Sequence, residues 1–339
     1  MSANANLHKA KDAKNDEFYT QLTDVSKELM HYKQHFKDKI VLCNCDDPTW
    51  SAFWKYFHLN FSALNLKKLI STHYDKNETT YKMEYTGGND NDIEVGIKTP
   101  LEGNGDFRNQ ECINLLKESD IIVTNPPFSL FREYVAQLME YGKKFLIIGN
   151  KNSLTYKEFF PLIKNDEVWI GYESPSEFNT PNGMTKKVQG LCRWFTNLDI
   201  QKRHEKLILW KNYISEEYPI YDNYDAINVD KVDQIPCDYD GVIGVPITFL
   251  DKYNPEQFEI VGISKTWATD FEIDKKKVYT SAHQHNKDGS ITSGSKINDG
   301  GAIALSQKPQ GIYYTDDNND GKYLVQVYAR IFIRKKGGK

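Results

Sequence analysis

The sequence of 339 residues predicts an α/β protein built on a mostly parallel, doubly wound sheet. Short apolar, β-branched runs alternate with amphipathic segments over residues 39–170, which is the pattern of successive βαβ units. Several of the apolar runs end in turns rich in Asn, Asp and Pro, as at residues 44–48 and 125–128. Open parallel sheets bind ligands at the carboxyl ends of their strands. These turns are therefore the candidate functional positions.

The elements of the first half follow from periodicity and from turn residues. Thr23 is the predicted N-cap of the first helix, and the aromatic rings of the second helix are predicted to lie in the core. Residues 81–85 and 93–97 alternate around a Gly-Gly-Asn-Asp turn, which predicts a hairpin inserted into the α/β scaffold. The predicted helices cover residues 23–36, 51–61, 111–117 and 129–141, and the predicted strands cover residues 39–43, 68–72, 120–124 and 144–149.

The second half is less regular. Residues 174–187 are rich in Pro, Ser, Asn and Thr and are predicted to form a loop. Residues 264–310 show little periodicity, which predicts a long irregular segment of functional or mobile character. Strands are predicted at residues 191–195, 205–210, 242–249, 258–263 and 323–333, ahead of a basic tail.

Composition excludes several classes of protein. With 39% hydrophobic and 27% charged residues the chain is typical of globular proteins. No apolar run approaches the roughly 18 residues that span a bilayer, and the polar N-terminus lacks a secretory signal, so a cytoplasmic protein without a membrane partner is expected. The five cysteines lack framework spacing, which predicts reduced thiols and no zinc site. A net charge of −4 means that DNA contact would need a local basic patch.

The turn at residues 125–128 is suited to a specific chemistry. Asn125 and the carbonyl of Pro126 can each accept one hydrogen of an exocyclic base amine, which localises the lone pair of the amine toward an electrophile. Pro127 stiffens the turn, and Phe128 can stack on a base that has left its duplex. The competing interpretation of the same four residues is a plain strand terminator.

The matching electrophile is the methyl group of S-adenosylmethionine, whose pocket is expected at the neighbouring strand ends. Asp106 could accept a hydrogen bond from the adenine amine of this cofactor, and Phe107 could cover its ring. Asp46 and Asp47 follow the first strand where no glycine-rich loop is present, so a dinucleotide fingerprint is excluded. For Asp46, an N-cap or Asx turn is an equally weighted alternative to cofactor binding.

Taken together, these motifs resemble the EcoRI-type adenine-specific DNA methyltransferases. The resemblance rests on residues 15–21, 43–48, 103–107 and 125–128, and extends through residues 156–164, 194–198 and 245–250, which is nearly the whole chain. It implies a Rossmann-like, S-adenosylmethionine-dependent methyltransferase with a C-terminal target-recognition region. The corresponding division is an N-terminal arm over 1–36, a methyltransferase domain over 37–263, a recognition segment over 264–322, and a closing strand with a basic tail over 323–339.

The resemblance also implies a role for each matching residue. The N-terminal motif would hold the methionine end of the cofactor, the first strand end its centre, and Asp106 with Phe107 its adenine. Where an acidic ribose ligand is usual in the family, Thr72 and His73 stand instead. The implied cofactor-binding residues are Tyr19, Thr20, Gln21, Cys45, Asp46, Asp47, Pro48, Thr72, His73, Asp106, Phe107 and Asn125, and the implied catalytic residues are Asn125, Pro126, Pro127 and Phe128.

DNA contacts are expected where basic residues concentrate, in residues 186–211 and in the tail. Base readout is expected within residues 264–310, where polar side chains cluster. The His283-x-His285 pair lacks a third ligand, so a solvated loop is the better interpretation than a metal site. The candidate DNA-binding residues are Lys151, Asn152, Lys186, Lys187, Arg193, His283, Gln284, His285 and Asn286.

The sequence thus predicts a site-specific DNA adenine-N6 methyltransferase that flips its target base from double-stranded DNA, works without a metal, and protects DNA from a cognate restriction endonuclease. A monomer is expected. One alternative is another acceptor, such as N4 of cytosine in DNA or adenine in RNA. A second alternative is a catalytically silent DNA-binding protein on the same scaffold, against which the intact turn at residues 125–128 argues.

Overall fold

The computed structural model describes residues 19–76, 80–179, 184–269, 271–273, 275–318 and 321–337. The chain forms two compact units. The first comprises the described residues up to Ser153 together with Glu167–Ile200, and the second comprises Leu154–Asp166 and the described residues from Gln201 onward. Residues 201–263, grouped by sequence with the methyltransferase domain, therefore lie in the second unit. Within the described ranges, no helix is both long and apolar enough to cross a membrane.

The described residues of the first unit form eleven strands and four α-helices. The helices are α1 (Leu22–Leu29), α2 (Ala52–Leu59), α3 (Gln110–Glu118) and α4 (Phe131–Glu140), with 3-10 turns at Met30–His35, Phe128–Leu130 and Lys151–Thr155. The strands are β1 (Tyr19–Thr20), β2 (Ile40–Cys43), β3 (Lys68–Thr72), β4 (Tyr81–Tyr85), β5 (Ile97–Pro100), β6 (Ile121–Thr124), β7 (Lys144–Asn150), β8 (Trp169–Ile170), β9 (Glu177–Asn179), β10 (Thr185–Lys187) and β11 (Cys192–Thr196).

An eight-stranded sheet of order β5-β4-β3-β2-β6-β7-β11-β8 forms the centre of this unit. Its central strands β3, β2, β6 and β7 are parallel neighbours, whereas the outer pairings are antiparallel. Every residue of β2 and β6 is buried, which is why both strands are continuous apolar runs. The predicted α/β sheet with a parallel core is confirmed. Since the strand order reverses between β2 and β6, their carboxyl ends form a topological switch point.

All four predicted helices are present, but their first and last residues differ from the predicted ones. Ser51 caps α2 by accepting the backbone N–H groups of Phe53 and Trp54, and the α2 rings are buried as predicted. Thr23 as an N-cap is wrong, because α1 begins at Leu22, after Gln21.

The predicted hairpin is confirmed by the antiparallel pairing of β4 with β5, but its second strand covers Ile97–Pro100 and not residues 93–97. β4 pairs with β3 and with β5, so this segment forms an edge of the central sheet. Trp54 and His58 of α2 donate ring N–H groups to the carbonyls of Ile93 and Val95, at 3.0 and 2.9 Å. Because these side chains occupy the carbonyls, the second strand of the hairpin begins only at Ile97.

The loop predicted at residues 174–187 contains β9 and β10, which form a three-stranded antiparallel sheet with β1. Two buried carboxylates of α1 fix the backbone ahead of β9. Glu28 accepts the N–H of Tyr172 at 2.9 Å, and Asp24 accepts the N–H of Ser176 at 2.7 Å. These tertiary bonds stabilise short strands that have no sequence periodicity of their own.

The second unit is mainly antiparallel. It has one four-stranded sheet of order β12-β13-β20-β14, and one five-stranded sheet of order β16-β15-β18-β19-β17. Its elements are α5 (Phe160–Lys164), β12 (Ile227–Asn228), β13 (Ile243–Pro246), β14 (Phe258–Ile263), β15 (Ala282–His285), β16 (Ile291–Ser293), β17 (Gly301–Leu305), β18 (Tyr313–Asp316), β19 (Tyr323–Val327) and β20 (Arg330–Lys335), with 3-10 turns at Gln201–His204, Val232–Gln234, Ile247–Lys252 and Ser295–Asn298.

Three predictions fail in this unit. The segment 264–310 is not irregular, since it supplies β15, β16 and β17. The single closing strand is two strands, β19 and β20, in different sheets. Residues 205–210 form no strand: the Gln257 side chain bonds both backbone groups of Leu207, at 2.8 and 2.7 Å, and the apolar side chains of Ile208 and Trp210 are exposed.

Candidate active site

The carboxyl ends of β2 and β6 are joined through Asp46. The Thr124 hydroxyl donates to Oδ2 of Asp46, and the backbone N–H of Asn125 donates to the same oxygen at 3.4 Å. Thr124 in turn accepts the backbone N–H of Cys45 at 3.2 Å. The start of the Asn-Pro-Pro-Phe turn is thereby fixed to the end of the neighbouring strand.

Asp46 is an unusual carboxyl group because it is only 6% exposed. Burial raises the pKa of Asp46 to about 7, while hydrogen bonds from Thr124, Asn125 and Ser51 act in the opposite direction. The structure thus favours the protonated form of Asp46 compared with an ordinary aspartate.

The turn itself combines rigidity with a partly accessible ring. Asn125 is buried, Pro126 is buried, and Pro127 and Phe128 are half-buried. The carbonyl of Pro127 accepts the N–H of Leu130 at 3.0 Å, which starts the 3-10 turn leading into α4. The residues predicted to bind the base therefore lie on a short, constrained connection between β6 and α4.

The N-terminal motif lies beside this turn. β1 pairs with β9 so that Thr20 stands opposite Phe178, and the Phe178 ring is 6.0 Å from the ring of Phe128. Gln21 adds a hydrogen bond from its amide to Asn179 at 2.7 Å. The side chain of Tyr19 lies outside the described residues. The structure therefore brings Thr20 and Gln21 to the turn, although they precede it by about a hundred positions in the sequence.

A second predicted loop reaches the same edge at the end of β3. Gly105 has φ of 75°, and a Cβ on it would lie 2.0 Å from the carbonyl oxygen of His73. Only glycine combines this left-handed conformation with so close an approach. The backbone N–H of Asp75 also donates to the carbonyl of Asn104 at 3.2 Å. The predicted Asp106-Phe107 pair is thereby held next to Thr72 and His73.

Asp106 itself is bound by Arg108. The guanidinium donates to both carboxylate oxygens, at 2.8 and 2.6 Å. Although burial works in the opposite direction, Arg108 lowers the pKa of Asp106, so the carboxylate remains an ionised acceptor. Phe107 is 4% exposed and packs edge to face on Tyr134 of α4, with ring centroids 5.0 Å apart.

Asp47 points to a different set of partners from Asp46. Its Oδ1 accepts the N–H of Thr49 and the hydroxyl of Tyr81, both at 2.9 Å, and its Oδ2 lies 3.2 Å from Nδ1 of His73. The adjacent Pro48 is buried. The predicted strand-end residues of β2 and β3 therefore form one polar cluster.

Sequence reasoning missed several residues of this edge. The Tyr134 hydroxyl donates to Oδ1 of Asn44, and Thr124, Arg108 and Phe178 make the contacts described above. Asn44 lies inside a predicted motif, and Thr124 and Arg108 directly adjoin two others, so their place in the sequence is a signal that could have found them. Tyr134 and Phe178 carry no such signal, because only tertiary packing brings them to the edge.

The candidate DNA-binding residues of the first unit lie on one connection and on two strands, β10 and β11. Lys151 and Asn152 follow β7, and Lys186 and Lys187 are exposed on β10. Arg193 donates to the Ser174 hydroxyl at 2.9 Å and to a backbone carbonyl at 3.0 Å. Arg193 thus has a structural role in addition to any contact with DNA.

The candidate readers of the second unit lie on β15 and the turn after it. Gln284 accepts from the hydroxyl of Tyr314 at 3.0 Å. His285 bonds the Thr315 hydroxyl at 3.0 Å and stacks on Tyr313 with centroids 4.5 Å apart. His283 lies 3.7 Å from a carboxylate oxygen of Asp317, and Asn286 donates to Ser290 at 3.0 Å. In the described ranges, no group of three or more His, Cys, Asp or Glu residues could hold a metal ion.

Comparison with known proteins decides the family. The family model described as adenine-specific methyltransferase EcoRI matches residues 6–336. The chain belongs to this family. This adenine-specific methyltransferase is 49% identical to the Type II methyltransferase M.EcoRI of Escherichia coli, with 78% of the chain and 90% of the relative covered. No solved structure gives a significant match.

Two Mycoplasma relatives extend the comparison. The methyltransferase is 38% identical to the Type II methyltransferase M.MpnI of Mycoplasma pneumoniae, covering 82% of the chain and 91% of the relative. It is 39% identical to the Type II methyltransferase M.MgeORF184P of Mycoplasma genitalium, covering 75% and 85%. The predicted family and enzyme class, a site-specific, adenine-specific DNA methyltransferase, are confirmed.

Proposed function

We propose that this methyltransferase transfers the methyl group of S-adenosylmethionine to N6 of an adenine that has left a short duplex DNA site. The observation that carries the proposal is the convergence of three chain segments at the switch point. The Asn125 turn meets the carboxyl end of β2, the Gly105 loop meets the end of β3, and β9, the partner strand of β1, places Phe178 beside the ring of Phe128 in the turn. Two adjoining sites for a cofactor and a base fit this arrangement.

The strand-end residues suit S-adenosylmethionine. The buried polar atoms that have no hydrogen-bond partner within the described part of the chain include three beside the proposed cofactor site: Oγ1 of Thr20, Oγ1 of Thr72 and Nδ2 of Asn44. Buried polar atoms in native proteins are normally paired. A cofactor with amino, carboxylate and hydroxyl groups provides the partners that these atoms need. Once bound, it supplies an electrophilic methyl group.

Each residue assigned to the cofactor is proposed to contact one part of it. Thr20 and Gln21 on β1 are assigned to the methionine end, together with Tyr19, whose side chain is outside the described residues. Cys45, Asp47 and Pro48 are assigned to the centre of the cofactor, whereas the Asp46 side chain contacts Thr124 and Asn125. Thr72 and His73 are assigned to the ribose, and Asp106, kept ionised by Arg108, to the adenine amine. Phe107 is assigned to the adenine ring.

The chemistry at the target base belongs to the turn. In the proposal, Asn125 Oδ1 and the Pro126 carbonyl accept the two hydrogens of the N6 amine, so its lone pair faces the methyl group. A carbon–nitrogen bond forms as the carbon–sulfur bond breaks, and one amine hydrogen leaves as a proton to water. Pro127 fixes the direction of the carbonyl, and Phe128 stacks on the base.

The proposal extends to the DNA. Lys151, Lys186, Lys187 and Arg193 are assigned to phosphate contacts, because cationic side chains supply most non-specific affinity, and the exposed amide of Asn152 is assigned to the same backbone. The residues of the 264–322 recognition segment, His283, Gln284, His285 and Asn286, are assigned to base readout. Since the relatives are named Type II methyltransferases, we also propose a monomer that acts in the cytoplasm and is paired with a restriction endonuclease.

The test is expression in a host that lacks DNA methylation, followed by mapping of modified bases in the host DNA. The expected result is N6-methyladenine confined to one short sequence, and a host carrying the empty vector should show none. Modified cytosine in place of adenine would show a different acceptor. An absence of any modified base, with soluble protein present, would refute the proposed reaction.

A further inference from the structure

We infer that Asp46 and Thr124 are positioning residues that aim Asn125 at the target amine, and that Asp46 is not a ligand of the cofactor. This inference rests on the proposed role of Asn125. It also separates Asp46 from Asp47, which follows it directly in the same motif.

The first argument is the set of partners of the Asp46 carboxyl group. It receives the hydroxyl of Thr124, the backbone N–H of Asn125 and the hydroxyl of Ser51. Those donors come from the end of β6, the start of the catalytic turn and the N-cap of α2. All of these donors belong to the protein's own strand ends and N-cap, so the contacts of this buried carboxyl group fix the turn and point to no ligand.

The second argument is that the backbone of Asp46 is also fixed. Ser71 on β3 donates its hydroxyl to the carbonyl of Asp46 at 2.5 Å. Asp46 is therefore tied through its main chain to β3 and through its side chain to β6 and α2. Through Asp46, the positions of β3 and β6 therefore determine where the backbone N–H of Asn125 lies.

The third argument is the contrast with Asp47. The side chain of Asp47 is 16% exposed and lies beside His73 and Tyr81, at the end of β3. Asp46 as a residue is 6% exposed, and its partners lie toward β6. The two neighbouring carboxyl groups therefore serve the two halves of the switch point, with Asp47 at the proposed cofactor side and Asp46 at the base side.

The decisive variants are Thr124→Val and Thr124→Ser. Valine has the shape of threonine but cannot donate to Asp46 or accept from Cys45, whereas serine keeps the hydroxyl. A misplacement of about 1 Å can cost on the order of 100-fold in rate. We expect Thr124→Val to lower kcat by about 10- to 100-fold with the Kd for S-adenosylmethionine within about threefold of wild type, and Thr124→Ser to recover most of kcat.

The matched control is Thr196→Val on β11. Thr196 is equally buried in the same sheet, donates to the carbonyl of Phe145 at 2.6 Å and accepts the N–H of Leu198 at 3.0 Å. Its replacement should lower the thermal midpoint about as much as Thr124→Val does, yet leave kcat unchanged. Equal losses of kcat in both variants would overturn the inference, because a general loosening of the sheet would then explain them.

Asp46→Asn tests the cofactor question even if Thr124→Val folds poorly. The amide oxygen can still accept from Thr124 and Asn125, so the cofactor Kd, measured by calorimetry, should change by less than about threefold. Loss of a charged ligand would weaken binding by roughly 10- to 100-fold, and that result would overturn the inference.

The Asn125→Ala variant separates failure of the inference from failure of the proposed function. If Asn125→Ala is inactive while Thr124→Val has wild-type kcat, the positioning role is wrong but the proposed reaction stands. Full activity of Asn125→Ala would refute the proposed role of the turn itself.

Discussion

Polar side chains at two places in this methyltransferase are satisfied differently. At the ends of the parallel strands β2 and β3 in the first unit, Asn44 and Thr72 keep buried polar atoms without partners among the described residues. In the antiparallel sheet of the second unit, Gln284 and His285 are bonded to Tyr314 and Thr315 on the adjacent strand. The first arrangement leaves polar atoms for the proposed cofactor, whereas the second is already satisfied within the sheet.

Strand direction explains the difference. Parallel strands deliver all their carboxyl ends to one edge, where no partner strand continues the pairing. In an antiparallel ladder, cross-strand neighbours face each other along the whole length, so polar pairs form within the sheet. The consequence is that substitutions at the parallel edge should change chemistry, while comparable substitutions on β15 should change mainly stability.

The largest effect is expected for Asn125→Ala. It removes the amide oxygen assigned to the amine, and loss of one preorganised polar group at a reacting centre costs on the order of 100- to 1000-fold in rate. Single-turnover methylation of a duplex that contains the mapped site measures this effect. The cofactor Kd should stay within about threefold, and a large loss of cofactor affinity would assign Asn125 to the cofactor site instead.

The next effect concerns stability and pH. Because the folded pKa of Asp46 is about 7 and its ordinary value is 3.8, the folded state favours the protonated form. The stabilisation is fully present below pH ~4 and is lost as pH rises through about 7, a difference on the order of 4 kcal/mol. Urea unfolding from pH 5 to 8 should show this slope in the wild type and a flatter one in Asp46→Asn. Parallel pH profiles would contradict it.

A glycine pair compares the two units directly. Gly105→Ala places a Cβ against the His73 carbonyl, so the loop must move, and we expect cofactor affinity to fall by about tenfold, by analogy with loss of one or two hydrogen bonds. Gly289 has a similar φ of 83° but nothing within 4 Å of its Cβ. Gly289→Ala should cost only about 1 kcal/mol and leave cofactor binding intact. Equal effects on the cofactor Kd would refute a specific role for the Gly105 loop.

The smallest effect is expected for single cations. Lys187 is exposed on β10, so Lys187→Ala should weaken DNA binding a few-fold and reduce the slope of log Kd against log salt by about one. His285→Ala removes a stacked ring and a hydrogen bond within the sheet, and it should cost about 1 kcal/mol of stability. It should leave the slope of log Kd against log salt unchanged. Titrations at several salt concentrations distinguish the two outcomes.

Sequence predicts the parallel core well because its information is local. β2 and β6 are apolar throughout, since both are buried on both faces, and the polar turns after them mark the site. The Asp46–Thr124 bond could not be predicted, because it requires knowing that β2 and β6 are neighbours. The motifs on either side of this bond, residues 43–48 and 125–128, are nevertheless visible in the sequence.

The short strands were missed for a different reason. β9 depends on carboxylates of α1 about 150 positions earlier, and β15 and β16 are polar and partly or fully exposed. Residues 205–210 show the opposite failure. Their apolar run predicts a strand, but the segment forms none, and its apolar side chains are exposed beside the Gln257 side chain. In each case tertiary context overrides local propensity.

The pairing of β1 with β9 has a consequence for how the enzyme is assembled during synthesis. Gln21 and Asn179 are separated by 158 positions, and contacts of such long range form late. The Asn125 turn can pack against β2 as soon as the central strands have formed. The side of the site contributed by Thr20 requires the pairing of β1 with β9, so it cannot form until residue 179 has left the ribosome. The Asn125 turn, which is proposed to bind the base, can therefore form on the nascent chain before β1 completes the proposed cofactor side.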